Sequence, residues 1–129
     1  MRKMLTAAIA MLLAGCSGGG APGVRAAMDA CSRGAAHVEV RDSGTVVRVL
    51  GTRESRSGRH EGFVVRLNGI ELRVEDNADI TGPIPLRAGE PIALQGQYEC
   101  NDGVIHWTHH DPRFRHPAGY IEVGGTHYQ

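Results

Sequence analysis

The feature that most constrains the fold of this chain is an Asn-Gly pair between two short apolar segments. Asn68-Gly69 separates residues 62–67 from residues 70–74, and apolar and polar side chains alternate along the second segment. Asn-Gly is the preferred pair for a two-residue turn in which both central residues have positive φ. The pattern therefore predicts an antiparallel hairpin, which supplies the second and third strands of a sheet.

Further segments of the same character surround this hairpin. Strands are predicted over residues 37–50 (one long or bulged first strand), 90–99, 104–108, 120–123 and 126–128, the last two closing a hairpin around Gly124-Gly125. The polar residues 53–59 predict a turn, and Pro83 and Pro85 predict an irregular crossover with at most one helical turn. Residues 24–32 have apolar side chains at helical spacing and predict a short N-terminal helix.

These elements predict an all-β domain, a small five-stranded Greek-key barrel with a short N-terminal helix. A long connection between the third and fourth strands is typical of such barrels, among which the oligonucleotide/oligosaccharide-binding (OB) fold is the best known. Residues 88–96 resemble the fourth-strand entry of that fold, with a turn glycine before the strand and Gly96 at a bend. A small β-sandwich is the competing architecture.

The N-terminus has the organisation of an export signal. Arg2 and Lys3 precede an apolar run over residues 5–13, which is too short to span a bilayer. The run ends in Leu-Ala-Gly followed by Cys16, and the whole resembles a bacterial lipoprotein signal with its lipobox. We expect residues 1–15 to be the signal peptide and Cys16 to carry lipid. An ordinary secretory signal cleaved near the same small residues is the alternative.

Residues 16–24 are rich in Gly, Ser, Ala and Pro and predict a flexible tether, which leaves residues 25–129 as a single domain. We therefore expect an exported protein that a lipid anchor holds at a membrane, facing the periplasm or the exterior. By resemblance to lipoprotein sorting, Ser17 favours the outer membrane in a cell that has two membranes.

The cysteine count agrees with the predicted export and lipid anchoring. If Cys16 carries lipid, Cys31 and Cys100 remain as an even pair in an oxidising compartment, and we expect them to form a disulfide. Two free thiols or a thiolate metal site are the alternatives.

The charge balance does not favour nucleic acid as a partner. Removing Arg2 and Lys3 from 14 basic residues leaves 12 against 14 acidic residues, a net charge of −2. Such a chain has no excess of cations to displace the counterions of a phosphate backbone.

Histidines are concentrated near the C-terminus. Five of the seven fall there, namely His106, His109, His110, His116 and His127. Imidazole ligates metals and titrates near neutral pH, so the cluster indicates metal binding, acid–base chemistry or pH sensing. The candidate ligands of zinc or another divalent metal are His60, His106, His109, His110, His116 and Asp111. In a straight strand His106 and His110 would lie about 13 Å apart, so one ion could use both only if the chain bends near Pro112.

Two residues of this region also have structural interpretations. Asp111 precedes Pro112, a pair that favours turns, so the histidines around it could belong to a hydrogen-bonded loop. Trp107 is the only tryptophan, and it either packs in the core or at the barrel rim, or offers a stacking platform to a ligand.

Residues 106–112 read His-Trp-Thr-His-His-Asp-Pro, and His116-Pro117-Ala118-Gly119-Tyr120-Ile121 follows. These runs, together with residues 59–65, 96–99 and 125–129, resemble an uncharacterised bacterial family of small exported domains, known only as a domain of unknown function. The resemblance spans residues 37–129 and implies membership and an exported β-barrel domain. It implies no activity, substrate or cofactor.

Three functions remain in competition. The first is a lipid-anchored envelope protein that binds an unknown ligand or envelope partner without catalysis. The second is a metal-binding or metal-dependent hydrolytic site made by the histidines. The third is a structural envelope component whose histidines respond to pH.

Overall fold

The computed structural model describes residues 20–129, in which seven strands and two helices follow one another along the chain. They are α1 (Val24–Ser32), β1 (His37–Ser55), β2 (Gly58–Leu67), β3 (Ile70–Asn77), α2 (Ala78–Thr81), β4 (Pro91–Glu99), β5 (Val104–His106), β6 (Tyr120–Val123) and β7 (Thr126–Tyr128). The predicted signal peptide, Cys16 and the first part of the predicted tether lie outside the described residues. From residue 20 onward, the structure contains no helix of the length and apolar character needed to cross a bilayer.

Five strands form a closed ring of pairings. β1 pairs with β2, β2 with β3, β3 with β5, β5 with β4, and β4 with β1; only the β3–β5 pairing is parallel. β6 pairs with β4 beyond the end of β5, and β7 completes an outer hairpin. The prediction of a mostly β domain with a short N-terminal helix and five principal strands is confirmed.

β1 is shared between two partners. Its first half, from His37 to Thr45, pairs with β4, and its second half, from Gly44 to Ser55, pairs with β2. The register shifts between Val46 and Arg48 and again between Val49 and Gly51, so the strand carries the bulges expected of it.

The turn predicted over residues 53–59 is present but confined to Arg56 and Ser57, so its predicted extent is wrong. β1 continues to Ser55 and β2 begins at Gly58, which leaves a turn of two residues. We call this extension, residues 51–62, the hairpin arm. Both faces of β1 in the arm are exposed, so its side chains do not alternate between apolar and polar, and an ion pair between Glu54 and Arg59 at 2.9 Å joins the two strands.

The core lies inside the ring. Phe63, Val65, Val74, Leu94, Ile105 and Ile121 are all fully buried. Helix α1 packs Val24 and Ala27 against this cluster. The turn at Asn68 and Gly69 has φ of 51° and 80°, the left-handed conformation that the Asn-Gly pair predicts.

A disulfide joins Cys31 at the end of α1 to Cys100 just after β4, with their Cα atoms 5.5 Å apart. The amide of Cys100 also donates a hydrogen bond to the carbonyl of Ala36 at 3.0 Å. The predicted pairing of these cysteines is confirmed, and it lies where β1 and β4 close the ring.

The fifth strand is shorter than predicted. It ends at His106 rather than Thr108, because Trp107 adopts the left-handed conformation with a φ of 59°. The chain then leaves the edge of β4, runs without regular structure, and returns to the same edge at Tyr120. We call residues 107–119 the site loop.

Candidate functional site

The site loop is attached to the ring by a buried carboxylate of β3. Asp76 accepts hydrogen bonds from the hydroxyl of Thr108 at 2.8 Å and from that of Thr81 at 2.5 Å. Asp76 and Thr108 are completely buried. Burial raises the pKa of Asp76, and the two threonine hydrogen bonds only partly oppose that rise. The start of the loop is therefore held by directional hydrogen bonds.

A second carboxylate organises the middle of the loop. One oxygen of Asp111 accepts from the amide of Arg113 at 2.8 Å, and the other from the amides of His116, at 2.7 Å, and Arg115. Burial would raise the pKa of Asp111, but these three hydrogen bonds outweigh it and lower the pKa to about 2. This is the hydrogen-bonded loop that Asp before Pro favours.

Two glycines let the loop lie close to the ring. A Cβ at Gly119 would collide with the carbonyl of Trp107, and one at Gly96 would collide with the carbonyl of His106. The amide of Gly119 donates to the carbonyl of His109 at 2.8 Å, which closes the loop. The ring and the loop are therefore in direct backbone contact.

The loop presents an aromatic cluster. The ring of Trp107 lies 4.5 Å from that of His116 and 6.0 Å from that of His109, and the two imidazoles are 5.2 Å apart. His109 is buried, whereas Trp107 keeps 38% of its surface exposed. The histidines therefore support the indole on the protein side and leave part of it open to solvent.

His109 is held in one tautomer. Its Nδ1 lies 2.6 Å from the carbonyl oxygen of His110, which can only accept, so Nδ1 carries the proton and Nε2 the lone pair. Burial lowers the pKa of His109, against the opposing effects of this hydrogen bond and of the charge of Asp76. At neutral pH the imidazole is thus an uncharged hydrogen-bond acceptor.

Two clefts meet at Trp107 and His109. The first, of about 470 Å³, lies between the hairpin arm, β3 and β5. Its lining includes Arg53, Glu75, Asn77, Glu99, Asp102 and His106. Glu75 is buried beneath an ion pair with Arg53 at 3.0 Å and is also bonded to Arg73.

The second cleft, of about 560 Å³, lies on the other side of the indole. Its lining includes Arg56, Asp79, Asp111, Arg113, Arg115 and His116. Ser57 and Asn77 line both clefts, as Trp107 and His109 do. The indole is therefore the partition between two neighbouring depressions.

A third depression, of about 610 Å³, lies beside the β6–β7 hairpin. Glycines, Pro91 and Ile92 make up much of its wall. His127 lines it but is engaged with Glu122 at 2.8 Å and stacked on Tyr120 at 4.7 Å. Titratable side chains are more numerous in the two clefts around Trp107, and we therefore place the candidate site there.

The predicted metal ligands are divided between the two main clefts. His60, His106 and His109 line the first, whereas His109, Asp111 and His116 line the second, and His110 is exposed to solvent. Across residues 20–129 no group of three or more His, Cys, Asp or Glu side chains is arranged to hold a metal ion. Both oxygens of Asp111 are already occupied by backbone amides.

Several residues of the site were not predicted from the sequence. Arg53, Arg56 and Ser57 come from the hairpin arm, and Glu75, Asp76 and Asn77 from the end of β3. Asp76 could have been found from the sequence. Apolar and polar side chains alternate over residues 70–74, and the next position on the apolar face is Asp76.

Comparison with known proteins identifies the family. The model of a family described as "Protein of unknown function (DUF3465)" matches residues 25–129, so the chain belongs to that family. Membership in a family of unknown function, expected from the residue runs above, is confirmed. No curated protein and no solved structure matches the chain significantly.

Proposed function

We propose that this member of the DUF3465 family is a lipid-anchored protein of the bacterial envelope whose domain is an OB-type binding module for a saccharide. The ring of five strands with α2 between β3 and β4 supports the OB assignment. OB-folds bind their ligands on the face of strands 2 and 3 and at the loops that follow strands 1 and 4. The first cleft draws its lining from those elements, including Ser57, His60, Asn77 and Asp102.

The observation that carries the proposal is the half-exposed indole of Trp107 between two polar clefts. Indole combines an apolar face with an N–H donor, which suits a ligand that is apolar on one face and polar at its edges. A pyranose ring has this character, with C–H groups on its faces and hydroxyls around its rim. Asn77, Ser57 and His109 line both clefts and supply polar partners.

Charge distinguishes a saccharide from an oligonucleotide in the first cleft. Arg53 is its single arginine, and it is paired with Glu75, while Glu99 and Asp102 add two further carboxylates. This wall repels a phosphate backbone and accepts hydrogen bonds from hydroxyls. The charge of this cleft agrees with the expectation, drawn from the net charge alone, that nucleic acid is not a favoured partner.

Lipid anchoring rests on the sequence alone, through the apolar run that ends at Cys16. We expect the chain with Cys16→Ser to be released from the membrane fraction and to lose radiolabelled palmitate when produced in a bacterial host. A matched chain with Ser17→Ala retains the cysteine and should stay labelled and sedimenting. Retention of the Cys16→Ser chain in the membrane fraction would overturn the anchor.

The binding module can be tested with its own fluorophore. Trp107 is the only tryptophan, so its emission reports directly on the proposed platform. We expect a saturable shift of the emission spectrum when a panel of envelope oligosaccharides is titrated, followed by calorimetry on the hit. Trp107→Ala should reduce affinity at least tenfold. Phe114→Ala should have no effect, because Phe114 is 94% exposed and lines neither cleft.

The thermal unfolding midpoint of each variant separates lost binding from lost folding. If no oligosaccharide shifts the emission, or if Trp107→Ala binds like the unaltered chain, the saccharide proposal fails.

A further inference from the structure

The second cleft has an unusual set of charges. Arg56, Arg113 and Arg115 line it, and none of them makes an ion pair within residues 20–129. Of the other nine arginines in residues 20–129, four are paired with a glutamate, and the five that are not paired line neither cleft (paired: Arg53, Arg59, Arg66 and Arg73; unpaired: Arg25, Arg33, Arg41, Arg48 and Arg87). Three unpaired guanidinium groups around one depression are a feature that the fold itself does not use.

The carboxylates of that cleft are already engaged. Asp111 accepts hydrogen bonds from the three backbone amides that shape the loop. Asp79 accepts a hydrogen bond from the amide of Arg59 at 2.9 Å. The arginines therefore keep their donor groups available, and the cleft as a whole has one more positive than negative side chain.

The loop presents these arginines from a defined backbone. Arg113 and Arg115 flank Phe114, and Asp111 binds the amides of both arginines, so their Cα positions are set by the same carboxylate. Guanidinium is planar and binds carboxylate or phosphate through two parallel hydrogen bonds. Fixing the points of attachment lowers the entropy that a ligand must overcome to order these side chains.

The charges on the two sides of Trp107 differ in sign. The first cleft has Glu75, Glu99 and Asp102 against Arg53 alone, whereas the second has three arginines against Asp79 and Asp111. A ligand stacked on the indole therefore meets acceptors on one side and cations on the other.

We infer that the second cleft binds a carboxylate or phosphate group carried by the saccharide that stacks on Trp107. The ligand class is thus an acidic saccharide, oriented with its anionic substituent toward Arg56, Arg113 and Arg115 and its hydroxyl edge toward the first cleft. This inference rests on the proposed function and deepens it.

The test compares acidic ligands with uncharged counterparts that have the same sugar skeleton. A trigalacturonic acid and its methyl ester form one pair, and glucose 6-phosphate and glucose form the other, so the two pairs distinguish carboxylate from phosphate. For the preferred anion we expect at least tenfold tighter binding by the unaltered chain than for the uncharged counterpart. The preference should decrease between 50 and 300 mM salt, since the arginines are exposed.

Matched variants locate the effect. Arg113→Gln with Arg115→Gln should reduce the preference for the acid to less than twofold and leave affinity for the neutral ligand unchanged. Arg48→Gln with Arg87→Gln removes the same charge from exposed arginines that line neither cleft, and should keep the preference.

The outcomes separate the two proposals. Equal binding of the charged and neutral ligands, lost in Trp107→Ala, would overturn the inference and leave the saccharide module standing. Binding of neither pair and of no oligosaccharide of the panel, or tight binding of a short oligothymidylate that depends on Arg113 and Arg115, would overturn both.

Discussion

The ring and the site loop of this domain are held together by different forces. The ring buries side chains such as Phe63, Leu94 and Ile105 completely and joins its strands by backbone ladders. The loop of residues 107–119 has no ladder and depends on two carboxylates, Asp76 and Asp111. Apolar burial is non-directional and tolerates substitutions of similar volume, whereas a hydrogen-bond network requires each partner in its place.

The difference explains where backbone strain is found. Asn68, Trp107 and Phe114 are the residues other than glycine with positive φ in the described part of the chain, and two of them lie in the site loop. A bulky residue in that conformation costs on the order of 1–3 kcal/mol and persists only where its surroundings impose it. The hydrogen bonds of Asp76 and Asp111 impose it here, and as a result the indole of Trp107 is partly exposed.

The largest expected effect comes from breaking the ring. Phe63→Ala removes a fully buried aromatic ring and should lower the free energy of unfolding by about 3–5 kcal/mol. Because the loop is attached to the ring, far-UV circular dichroism and Trp107 emission should report a single shared transition in urea. Two separate transitions would show that the regions are less coupled than described.

The next effect comes from detaching the loop while leaving the ring intact. Asp76→Ala removes the acceptor of two threonine hydroxyls and should cost about 2–4 kcal/mol. Asp76→Asn retains an acceptor and removes a buried charge, so its unfolding free energy at pH 7 should lie within about 1 kcal/mol of the unaltered domain. An equal loss in the two variants would contradict this account.

The two Asp76 variants also differ in pH dependence. The pKa of Asp76 is raised on folding, so the folded state binds its proton more tightly and this residue lowers stability as pH rises above 3.8. Urea titrations across pH 4–7 should show that decline in the unaltered domain and a smaller one in Asp76→Asn.

A smaller and local effect is expected at Asp111. Its pKa is lowered to about 2 from 3.8, so its stabilisation of the loop is complete above pH 3.8 and is lost as pH falls toward 2. The protection factors for hydrogen exchange, which are corrected for the intrinsic rate at each pH, should therefore fall at Arg113, Arg115 and His116 over that interval while the strands stay protected. In Asp111→Asn these amides should have low protection factors at every pH, and unchanged protection would contradict the assignment.

The smallest effect is expected from a surface ion pair outside both regions. Arg66 and Glu71 form a bridge between exposed side chains on β2 and β3. Glu71→Gln should change the unfolding free energy by less than about 1 kcal/mol, because solvent screens such pairs. Thermal unfolding of this variant provides the baseline against which the Asp76 and Asp111 effects are judged.

The contrast between the ring and the site loop also explains which parts of the structure could be predicted from the sequence. The strands of the ring could be predicted because Asn68-Gly69 and the alternation of apolar and polar side chains beside it are local signals. The disulfide could be predicted because Cys31 and Cys100 remained as a pair once Cys16 was assigned to lipid. The hairpin arm was missed because both faces of β1 are exposed there, which leaves no apolar period to detect.

Only part of the candidate site could be predicted from the sequence. The histidines and Trp107 are contiguous in sequence, so the position of the loop could be predicted, but its partners come from elements far along the chain. Arg56 lies on the arm and Asp76 on β3, and only the register of β1, β2 and β3 places them beside the loop. Local patterns contain no information on such pairings.

The double role of β1 has a consequence for the order of events during folding. Its pairing with β2, and that of β2 with β3, join neighbours in sequence, and hairpins of this kind form within microseconds. Its pairing with β4 joins residues such as Val40 and Gly96, so closing the ring must overcome the entropy of a long intervening chain. The antiparallel unit of β1, β2 and β3 should therefore form early in folding, and the pairing of β1 with β4 that closes the ring should form late. Because Cys31 and Cys100 meet only at that closure, formation of their bond should mark the completion of the fold.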